Sequence, residues 1–291
     1  MIPVLLHLGP IPIYSFGVMA ALGFLAANIT LALECRRRGI DPSLADSAVV
    51  WAAIAGFVGS RIYDVFDNWS EYMAHPWSIV LSGAGFVWYG GFIGGMLSTW
   101  LVGRRYKLNF VTVADMCAAP LILGQAFGRM GCLLSGDGDW GLPSTLPWAM
   151  AFPKAIIGWH GDLHLSDGTF LPATVLKLDA HGMLVDGYFP GVRVHPTPIY
   201  EVLMFLAIFA VMWAWRSRST FDGQQLCLYL VLGGLERFLV EFVRINPRVL
   251  GGLSEAQLIS LVMITAGAAT WLWLGRRQPV TEPSLALRTS T

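Results

Sequence analysis

The sequence predicts an all-α integral membrane protein with about seven transmembrane helices and one folded extracytoplasmic loop. Its 291 residues are 55% hydrophobic and only 13% charged, whereas a soluble domain carries about 25% charged residues. This composition argues against a disordered, fibrous or disulfide-stapled secreted protein. Nineteen basic residues balance nineteen acidic residues, so the net charge gives no reason to expect nucleic acid as a partner.

Long apolar stretches account for the predicted helices. A helix needs about 20 apolar residues to cross the hydrocarbon core of a bilayer. The first stretch, residues 11–33, contains no charge, and the chain begins without the basic segment of a cleavable signal peptide, so this stretch is expected to be retained. The other stretches, several of which contain ionisable residues, lie near 45–66, 84–103, 110–134, 197–215, 225–244 and 254–275.

The distribution of basic residues predicts the orientation of these helices. Clusters follow alternate stretches, at Arg36–Arg38, Arg104–Lys107, Arg216–Arg218 and Arg276–Arg277. Loops on the cytoplasmic side of a membrane are enriched in Lys and Arg. The sequence therefore predicts an N-terminus outside the membrane and a C-terminus inside it.

The chain is expected to form a single polytopic membrane domain over residues 1–277. The alternation of sides places the long loop at 135–194 outside the membrane, where its aromatic residues favour a folded cap. Within this loop, Thr174–Leu178 and Met183–Tyr188 have the pattern of a β-hairpin. The polar tail at 278–291 is expected to be disordered in the cytoplasm.

The cysteines are not expected to form disulfides. If one helix carries both Cys117 and Cys132, they are separated by roughly 22 Å along it, whereas a disulfide needs Cα atoms within about 7 Å. Cys35 and Cys227 lie beside basic segments, which places them on the reducing cytoplasmic side. Small buried packing residues are the favoured interpretation.

Ionisable residues inside the predicted helices are the first candidates for a functional site, because a charge within the bilayer is costly and usually serves a function. Glu201 lies in the outer part of its apolar stretch. A rotation of about 100° per residue places Glu241 on the same helix face as Arg237 and Arg244. Asp115 falls instead near an inner end. The arginines that the predicted orientation places in the outer leaflet layer are Arg61, Arg129, Arg237 and Arg244.

Two of these arginines lie beside glycines. Arg129 lies within Gly128-Arg129-Met130-Gly131, and Arg237 follows Gly233-Gly234. Small residues leave room for a ligand between helices, and guanidinium groups form bidentate, charge-assisted hydrogen bonds with phosphate oxygens. At headgroup depth, this combination predicts a site for a phospholipid phosphate. For Arg61 and Arg244, snorkelling to the interface or a structural ion pair with a glutamate is an equally simple interpretation.

A run from Gly128 to Gly141 places an arginine between glycines and continues through acidic residues to a closing glycine. Further motifs occur in order along most of the chain: Gly59-Ser60-Arg61, Trp88-Tyr89-Gly90-Gly91, Asp115, His195–Glu201, Arg237–Arg244, and Leu253-Ser254 with Gln257. In this combination the chain resembles the bacterial prolipoprotein diacylglyceryl transferases.

The resemblance implies transfer of the diacylglyceryl group of phosphatidylglycerol to the lipobox cysteine thiol of a prelipoprotein, with release of glycerol phosphate and without a cofactor or a metal. It implies a location in the bacterial cytoplasmic (inner) membrane, with the active site in the outer leaflet half. The implied partners are phosphatidylglycerol, other membrane lipids and prelipoprotein signal peptides. Arg129 and Arg237 would be the essential phosphate-handling residues. The substrate-binding residues would be Arg129, Arg61, Glu201, Glu241, Arg244, Gly141 and Cys132.

Three positions depart from the family pattern. Cys132 replaces the asparagine of the signature, Tyr89 stands where many members have a histidine, and Phe16 stands where a tyrosine is common. Tyr89 is a catalytic candidate that would order the attacking thiol by a hydrogen bond, and an interfacial aromatic is the alternative. The signature is also one residue longer here, so that Asp137 and Asp139 compete for its acidic position.

Two other functions stay open from the sequence alone. A non-catalytic or retargeted paralogue would bind phospholipid through the same arginines. An anion transporter would use them to line a path, although the chain lacks the internal repeat typical of many transporters.

Overall fold

The described part of the chain is mainly helical. A computed structural model describes residues 2–74, 87–142, 144–152, 163–164, 170–171, 193–244, 246 and 248–277. Its helices are α1 (Ser15–Arg37), α2 (Ser43–Asp67), α3 (Trp69–Ala74), α4 (Trp88–Arg105), α5 (Phe110–Ser135), α6 (Thr197–Trp215), α7 (Gln224–Val240) and α8 (Glu255–Arg277), with a 3-10 turn at Arg216–Arg218. Three antiparallel strand pairs join β1 (Val4–Leu8) with β2 (Ile11–Tyr14), β3 (Leu163–His164) with β4 (Phe170–Leu171), and β5 (Arg248–Leu250) with β6 (Leu253–Ser254).

A helix occupies most of every apolar stretch that the sequence predicts to be helical. Five helices in the described part are long and apolar enough to cross a membrane: α1, α2, α5, α6 with its 3-10 turn, and α8. The helices α4 and α7 have 18 and 17 residues and are not among these five. The class of helical membrane protein is therefore confirmed, while the count of seven spans stays a prediction.

The first helix begins later than predicted. Residues 11–14 form β2, which pairs with β1, and α1 begins at Ser15. Gly9, between the two strands, has a φ of 62°, which glycine adopts without steric cost. Pro12 lies in an edge strand, where a missing amide is tolerated. Hydropathy does not distinguish an apolar hairpin from the beginning of an apolar helix, and the prediction was wrong here for that reason.

The helix in the sixth stretch ends earlier than predicted, because α7 stops at Val240 rather than near 244. The chain then leaves the helix to pair with the segment that follows α5. The amide of Leu142 donates to the carbonyl of Val243 over 2.8 Å, and Gly141 forms a β-bridge with Arg244. This pairing brings the end of α7 and the end of α5 together.

The chain divides into two compact units, and one of them comprises residues 26–120. In this unit α2 and α4 approach closely through glycines. A Cβ added at Gly59 would lie 2.4 Å from the carbonyl oxygen of Gly90, and one added at Gly94 would lie 2.2 Å from that of Ala55. Small residues permit this approach between membrane helices. Helix packing therefore explains glycines in two of the motifs noted in the sequence.

Asp115 has structural partners in the same unit. Its Oδ2 lies 2.6 Å from Nη2 of Arg38, whose Nε lies 2.6 Å from Oε1 of Glu34. Asp115 is 2% exposed and Glu34 is 4% exposed. Buried carboxylates require such partners, so this network ties the beginning of α5 to the end of α1.

The second unit comprises residues 1–25 and 121–291 and contains α6, α7 and α8. The helices α7 and α8 also pack through glycines. A Cβ added at Gly234 would lie 3.0 Å from the carbonyl oxygen of Ser260, and one added at Gly267 would lie 2.9 Å from Cβ of Leu230. Close packing against α8 therefore fixes the position of α7, which carries Arg237.

All four cysteines are free, as predicted. Cys35, Cys132 and Cys227 are buried, and Cys117 is partly buried. This agrees with their interpretation as packing residues.

Of the long loop at 135–194, the described parts are mainly its two ends. Met150 and Val194 exchange backbone hydrogen bonds of 3.0 and 2.9 Å, which tie these ends together. The predicted β-hairpin at 174–188 and the predicted disordered tail at 278–291 lie outside the described residues.

Candidate active site

Five of the ionisable residues predicted for the site meet where three helix ends come together. Arg129 lies near the end of α5, and Glu201 lies near the beginning of α6. Arg237 lies in the last turn of α7, and Glu241 and Arg244 follow directly after it. All of them belong to one compact unit.

Glu201 is the centre of this arrangement. It is fully buried, with 0% of its surface exposed. Its Oε2 lies 2.9 Å from Nε of Arg129, and its Oε1 lies 3.4 Å from Nη1 of Arg237 and 3.3 Å from Nη1 of Arg244. One carboxylate therefore holds three guanidinium groups: one from α5, one from the last turn of α7 and one from the segment that follows α7.

Glu241 holds Arg237 from the other side. Its Oε2 lies 3.1 Å from Nη2 of Arg237, and its Oε1 accepts hydrogen bonds of 2.7 Å from Nδ2 of Asn246 and from Oγ of Ser254. Glu241 is also fully buried. Because both of its oxygens are engaged, its side chain is fixed and fixes Arg237 in turn.

Asp139 completes the set of carboxylates. Its two oxygens pair with Arg129 and with Arg244, and its carbonyl accepts a hydrogen bond from the hydroxyl of Thr197 at the beginning of α6. Three arginines and three carboxylates thus form one network, which we call the arginine cluster: Arg129, Arg237, Arg244, Asp139, Glu201 and Glu241. The mutual neutralisation of these charges allows three guanidinium groups to gather in a buried place.

The three arginines differ in how much of their surface stays accessible. The side chains of Arg129 and Arg237 are 26% and 28% exposed, whereas that of Arg244 is 10% exposed. A Cβ added at Gly128, next to Arg129, would meet no atom within 4 Å. Arg129 and Arg237 can therefore contact a ligand, and Arg244 is suited to hold the acids in position.

The structure distinguishes the two aspartates that compete for the acidic position of the signature. Burial alone would raise the pKa of Asp139, but the positive charges of Arg129 and Arg244 outweigh this effect and the pKa is lowered. Burial raises the pKa of Asp137. Asp139 is the residue that pairs with the arginines, so it takes the role that the sequence left open between the two.

These opposite pKa shifts predict opposite effects of two neighbouring substitutions. A carboxyl group whose pKa is lowered by folding stabilises the folded state at any pH above its unfolded pKa of 3.8, and this stabilisation is lost as the pH falls through its folded pKa. Asp139→Asn should therefore lower the thermal midpoint at pH 7 and cost little near pH 3. A raised pKa contributes stability only at low pH, so Asp137→Asn should leave the midpoint at pH 7 unchanged or raise it. Thermal unfolding of both variants in detergent, from about pH 3 to about pH 8, measures these changes. Equal losses at pH 7 would contradict the assignment.

Gly141 lies in a place where no side chain fits. Its amide donates to the carbonyl of His195 over 2.8 Å. An added Cβ would lie 2.3 Å from the carbonyl oxygen of Val243 and 2.8 Å from Cγ2 of Thr197. The closing glycine of the signature therefore permits the close pairing of the backbone segments that carry Asp139 and Arg244, and the role of Gly141 in substrate binding stays a prediction.

Gly141→Ala is accordingly expected to separate these segments and to lower both stability and activity. Overpacking of this kind costs about 1–3 kcal/mol, and the displaced carbonyl of Val243 precedes Arg244. Gly17→Ala in α1 is the matched control, because an added Cβ there meets nothing within 4 Å. Thermal midpoints and transfer rates of the two variants give the comparison. A normal midpoint for Gly141→Ala would show that the pairing is not tight.

Cys132 contacts the cluster without joining its ion pairs. Its Sγ lies 3.8 Å from Nη1 of Arg129 and the residue is 8% exposed. Donor atoms of Cys132, Asp137 and Asp139 lie within 4.8 Å of one another, a spacing that a metal ion would tolerate. However, Asp139 already faces two guanidinium groups, and their positive charge opposes the binding of a cation there.

Arg61 and Tyr89 belong to the other compact unit. Nη1 of Arg61 lies 3.5 Å from Oδ2 of Asp64, one turn along α2, and the ring of Tyr89 lies 6.1 Å from the ring of Tyr63. Tyr89 is 49% exposed. The roles predicted for Arg61 and Tyr89 stay predictions.

Sequence reasoning missed several supporting contacts. Asn246 and Arg248 lie in a polar segment after α7 that carried no motif. Nη1 of Arg248 lies 2.7 Å from Oε1 of Gln257, and Nη2 lies 3.2 Å from the carbonyl of Glu241. The same Gln257 oxygen accepts from the amide of Ser254. Polar residues directly after a helix that carries buried charges were the available signal.

Comparisons with known proteins agree over nearly the whole chain. A family profile described as "Prolipoprotein diacylglyceryl transferase" matches residues 3–273. A relative from Gloeobacter violaceus is 28% identical over 279 residues, which cover 94% of this chain and 93% of that protein. A relative from Trichormus variabilis is 30% identical over 288 residues, which cover 96% of this chain and 92% of that protein. A relative from Bordetella bronchiseptica is 31% identical over 287 residues, which cover 94% of this chain and 95% of that protein. All three carry the name phosphatidylglycerol–prolipoprotein diacylglyceryl transferase.

Proposed function

The chain belongs to the prolipoprotein diacylglyceryl transferase family, and we propose that it transfers the diacylglyceryl group of phosphatidylglycerol to the lipobox cysteine thiol of prelipoproteins. It is a membrane transferase of lipoprotein biosynthesis. The observation that carries this function is the convergence of Arg129 and Arg237, two partly accessible arginines, on the buried carboxylate of Glu201 in a chain that matches the family throughout. A non-catalytic paralogue and an anion transporter are not favoured, since the relatives named above are all named as the enzyme.

In the proposed reaction, the sulfur of the thiol attacks the glycerol carbon that carries the phosphate ester. A carbon–sulfur bond forms and the carbon–oxygen bond to the phosphate breaks. The products are the thioether-linked diacylglyceryl prolipoprotein, glycerol phosphate and the proton of the thiol. Negative charge grows on the departing phosphate, so positive groups fixed beside it lower the barrier most.

Arg129 and Arg237 are the proposed phosphate-binding pair. Each points its guanidinium group toward Glu201 while keeping part of its surface accessible, and Gly128 leaves space beside Arg129. Glu201, Glu241, Asp139 and Arg244 position this pair. Since the pair is held before the substrate arrives, little reorganisation is needed when charge develops on the phosphate.

Activation of the thiol is a smaller demand. A free thiol has a pKa near 8.5, so roughly 3% is already thiolate at pH 7, and complete deprotonation is worth about 2 kcal/mol. A tyrosine in place of the family's histidine is therefore compatible with activity, and Tyr89 would order the thiol rather than deprotonate it. Arg61 is proposed to assist lipid binding.

We further infer that the protein lies in the bacterial cytoplasmic membrane as one polytopic domain with about seven spans, its N-terminus outside and the arginine cluster in the outer leaflet half. The basic clusters after alternate apolar stretches support this orientation. It would place the donor lipid and the lipobox peptide on the same side.

The orientation predicts opposite labelling of two exposed positions. With Thr145→Cys in the outer loop, a membrane-impermeant maleimide should label intact cells, because this position faces outward. With Ser217→Cys after α6, labelling should require cell lysis. Both side chains are exposed, so neither is buried against the described part of the chain. Labelling of position 217 alone in intact cells would reverse the orientation.

The function itself is tested by transfer of labelled diacylglyceryl from phosphatidylglycerol to a lipobox peptide by the purified protein. We expect a thioether-linked lipid on the peptide cysteine and release of glycerol phosphate in equal amount. The same peptide with serine in place of the cysteine is the matched control. Failure to transfer from any phospholipid donor, together with failure to support cells depleted of their own transferase, would favour a non-catalytic paralogue.

A further inference from the structure

Glu236 is a buried acid that the proposed reaction does not use. It lies on α7, directly before Arg237, and is 3% exposed. Its Oε1 is buried without a hydrogen-bond partner, and among the described residues it forms no ion pair. The arginine cluster takes its carboxylates from other positions, so Glu236 is left over.

Such a group needs a reason to be present. A carboxyl group transferred from water into an apolar environment without a hydrogen bond costs several kcal/mol, and ionisable residues in membrane-spanning helices usually mark ligand pathways. The neighbouring residue, Leu235, is 44% exposed, so α7 is not buried on all sides. The burial of Glu236 is therefore a property of its own helix face. The unsatisfied oxygen therefore offers an acceptor to a ligand.

The surroundings of Glu236 form a polar recess between α5 and α7. Tyr229 lies seven residues before Glu236, which places both on the same face of α7. Nε2 of Gln125 on α5 donates to the hydroxyl of Tyr229 over 3.1 Å, so this face of α7 is directed toward α5. Gly233 lies on the same face, and the nearest atom to a Cβ added there is Cδ1 of Ile122 on α5 at 3.8 Å.

Glycine on both helices leaves room in this recess. Gly128 on α5 has nothing within 4 Å of an added Cβ. The recess adjoins the arginine cluster, because Gly128 directly precedes Arg129 and Glu236 directly precedes Arg237. We call this space the polar recess, defined by Gln125, Gly128, Tyr229, Gly233 and Glu236.

We propose that Glu236, buried without a partner beside the phosphate-binding arginines, binds the vicinal hydroxyl groups of the lipid's glycerol headgroup and so selects phosphatidylglycerol as donor. This inference rests on the proposed function and assigns it a specificity-determining residue. The phosphate of the donor carries two substituents. The diacylglyceryl part must extend toward lipid, which leaves the headgroup for the polar recess on the other side of the phosphate.

The chemistry of the recess suits a diol. Two hydroxyl groups offer two donors, and a carboxyl group offers two acceptor oxygens, one of which has no hydrogen-bond partner among the described residues. The hydroxyl of Tyr229 accepts from Gln125 and still has its own hydrogen to donate. A pocket that hydrogen-bonds a substrate hydroxyl discriminates strongly against an analogue without it, because the pocket's own polar groups are then left unpaired.

The test compares two donors that differ only in the headgroup: phosphatidylglycerol and phosphatidylethanol, which keeps the phosphodiester and lacks the diol. For the full-length protein, we expect phosphatidylglycerol to be preferred in kcat/KM. Glu236→Leu should reduce this preference about tenfold or more, chiefly through KM for phosphatidylglycerol, while transfer from phosphatidylethanol is kept. Glu236→Gln, which still accepts hydrogen bonds, should retain most of the preference. Ser260→Ala on α8 removes a buried hydroxyl that donates to the carbonyl of Ala256, away from the polar recess, and should leave the preference unchanged.

Each outcome decides between specific alternatives. Equal losses with both donors in Glu236→Leu would mean a structural role and would overturn the proposal, as would a wild-type protein that does not distinguish the donors. A preference for phosphatidylethanolamine would mean that the recess binds an ammonium group instead, and would also overturn it. If Glu236→Leu does not accumulate in membranes, Tyr229→Phe is tested in its place, and it should reduce the preference for phosphatidylglycerol in the same direction but by less. Absence of transfer from every donor by the wild type would instead overturn the proposed function.

Discussion

Arg129→Ala and Arg237→Ala are each expected to lower the rate of diacylglyceryl transfer by about 100- to 1000-fold. Removal of one preorganised donor to a developing negative charge typically costs about 3–4 kcal/mol. Both arginines remain partly accessible while ion pairs hold them in place, so each can meet the departing phosphate without first reorganising. The loss should appear mainly in kcat, because the phosphate gains charge only as the carbon–oxygen bond breaks.

The lysine variants separate charge from geometry. Lysine keeps the positive charge but lacks the planar pair of donors that matches phosphate oxygens, so Arg129→Lys and Arg237→Lys should recover only part of the lost rate. Arg36→Ala, at an exposed position in the last turn of α1, is the control and should transfer normally. Transfer to a lipobox peptide by purified variants in the same lipid mixture measures all of them. Near-normal rates for both alanine variants would remove the proposed mechanism.

Five of the six residues of the arginine cluster, all except Asp139, could be predicted from the sequence because charges in apolar stretches are rare and their depth follows from the orientation of the helices. This reasoning brought Arg129, Glu201 and Arg237 to one layer, and the structure brings their side chains into contact. It also left Arg244 open between substrate binding, an interfacial position and a structural ion pair, and in the structure Arg244 forms ion pairs with Glu201 and Asp139.

The connections outside the helices could not be predicted in the same way. Nothing local distinguishes Asp137 from Asp139, since the difference arises from arginines on α5 and after α7. The early end of α7 depends on a β-bridge between Gly141 and Arg244, which are far apart in the chain. Periodicity and hydropathy describe one segment at a time, so they place residues at a depth without revealing which loops pair there.

The electrostatic design of the site depends most on Glu201. It is the one member of the arginine cluster that contacts all three of its arginines. Loss of one partner from a buried ion-paired network leaves the others uncompensated, which typically costs about 3–5 kcal/mol. In this cluster the uncompensated charge would be positive, and it would lie where the phosphate of the donor is proposed to bind.

Glu201→Gln is therefore expected to lower both the thermal midpoint and the transfer rate, the rate by at least about tenfold, because Arg129 and Arg237 lose the carboxylate that aligns them. Glu255→Gln, at an exposed position in the first turn of α8, is the matched control and should leave both quantities unchanged. Added phosphatidylglycerol should raise the midpoint of Glu201→Gln more than that of the wild type, since its phosphate supplies the missing negative charge and ligand binding stabilises the folded state. Phosphatidylethanolamine, whose net charge is zero, should do so less. A Glu201→Gln protein with a normal midpoint and a normal rate would show that the arginines are held in place by Asp139 and Glu241 alone.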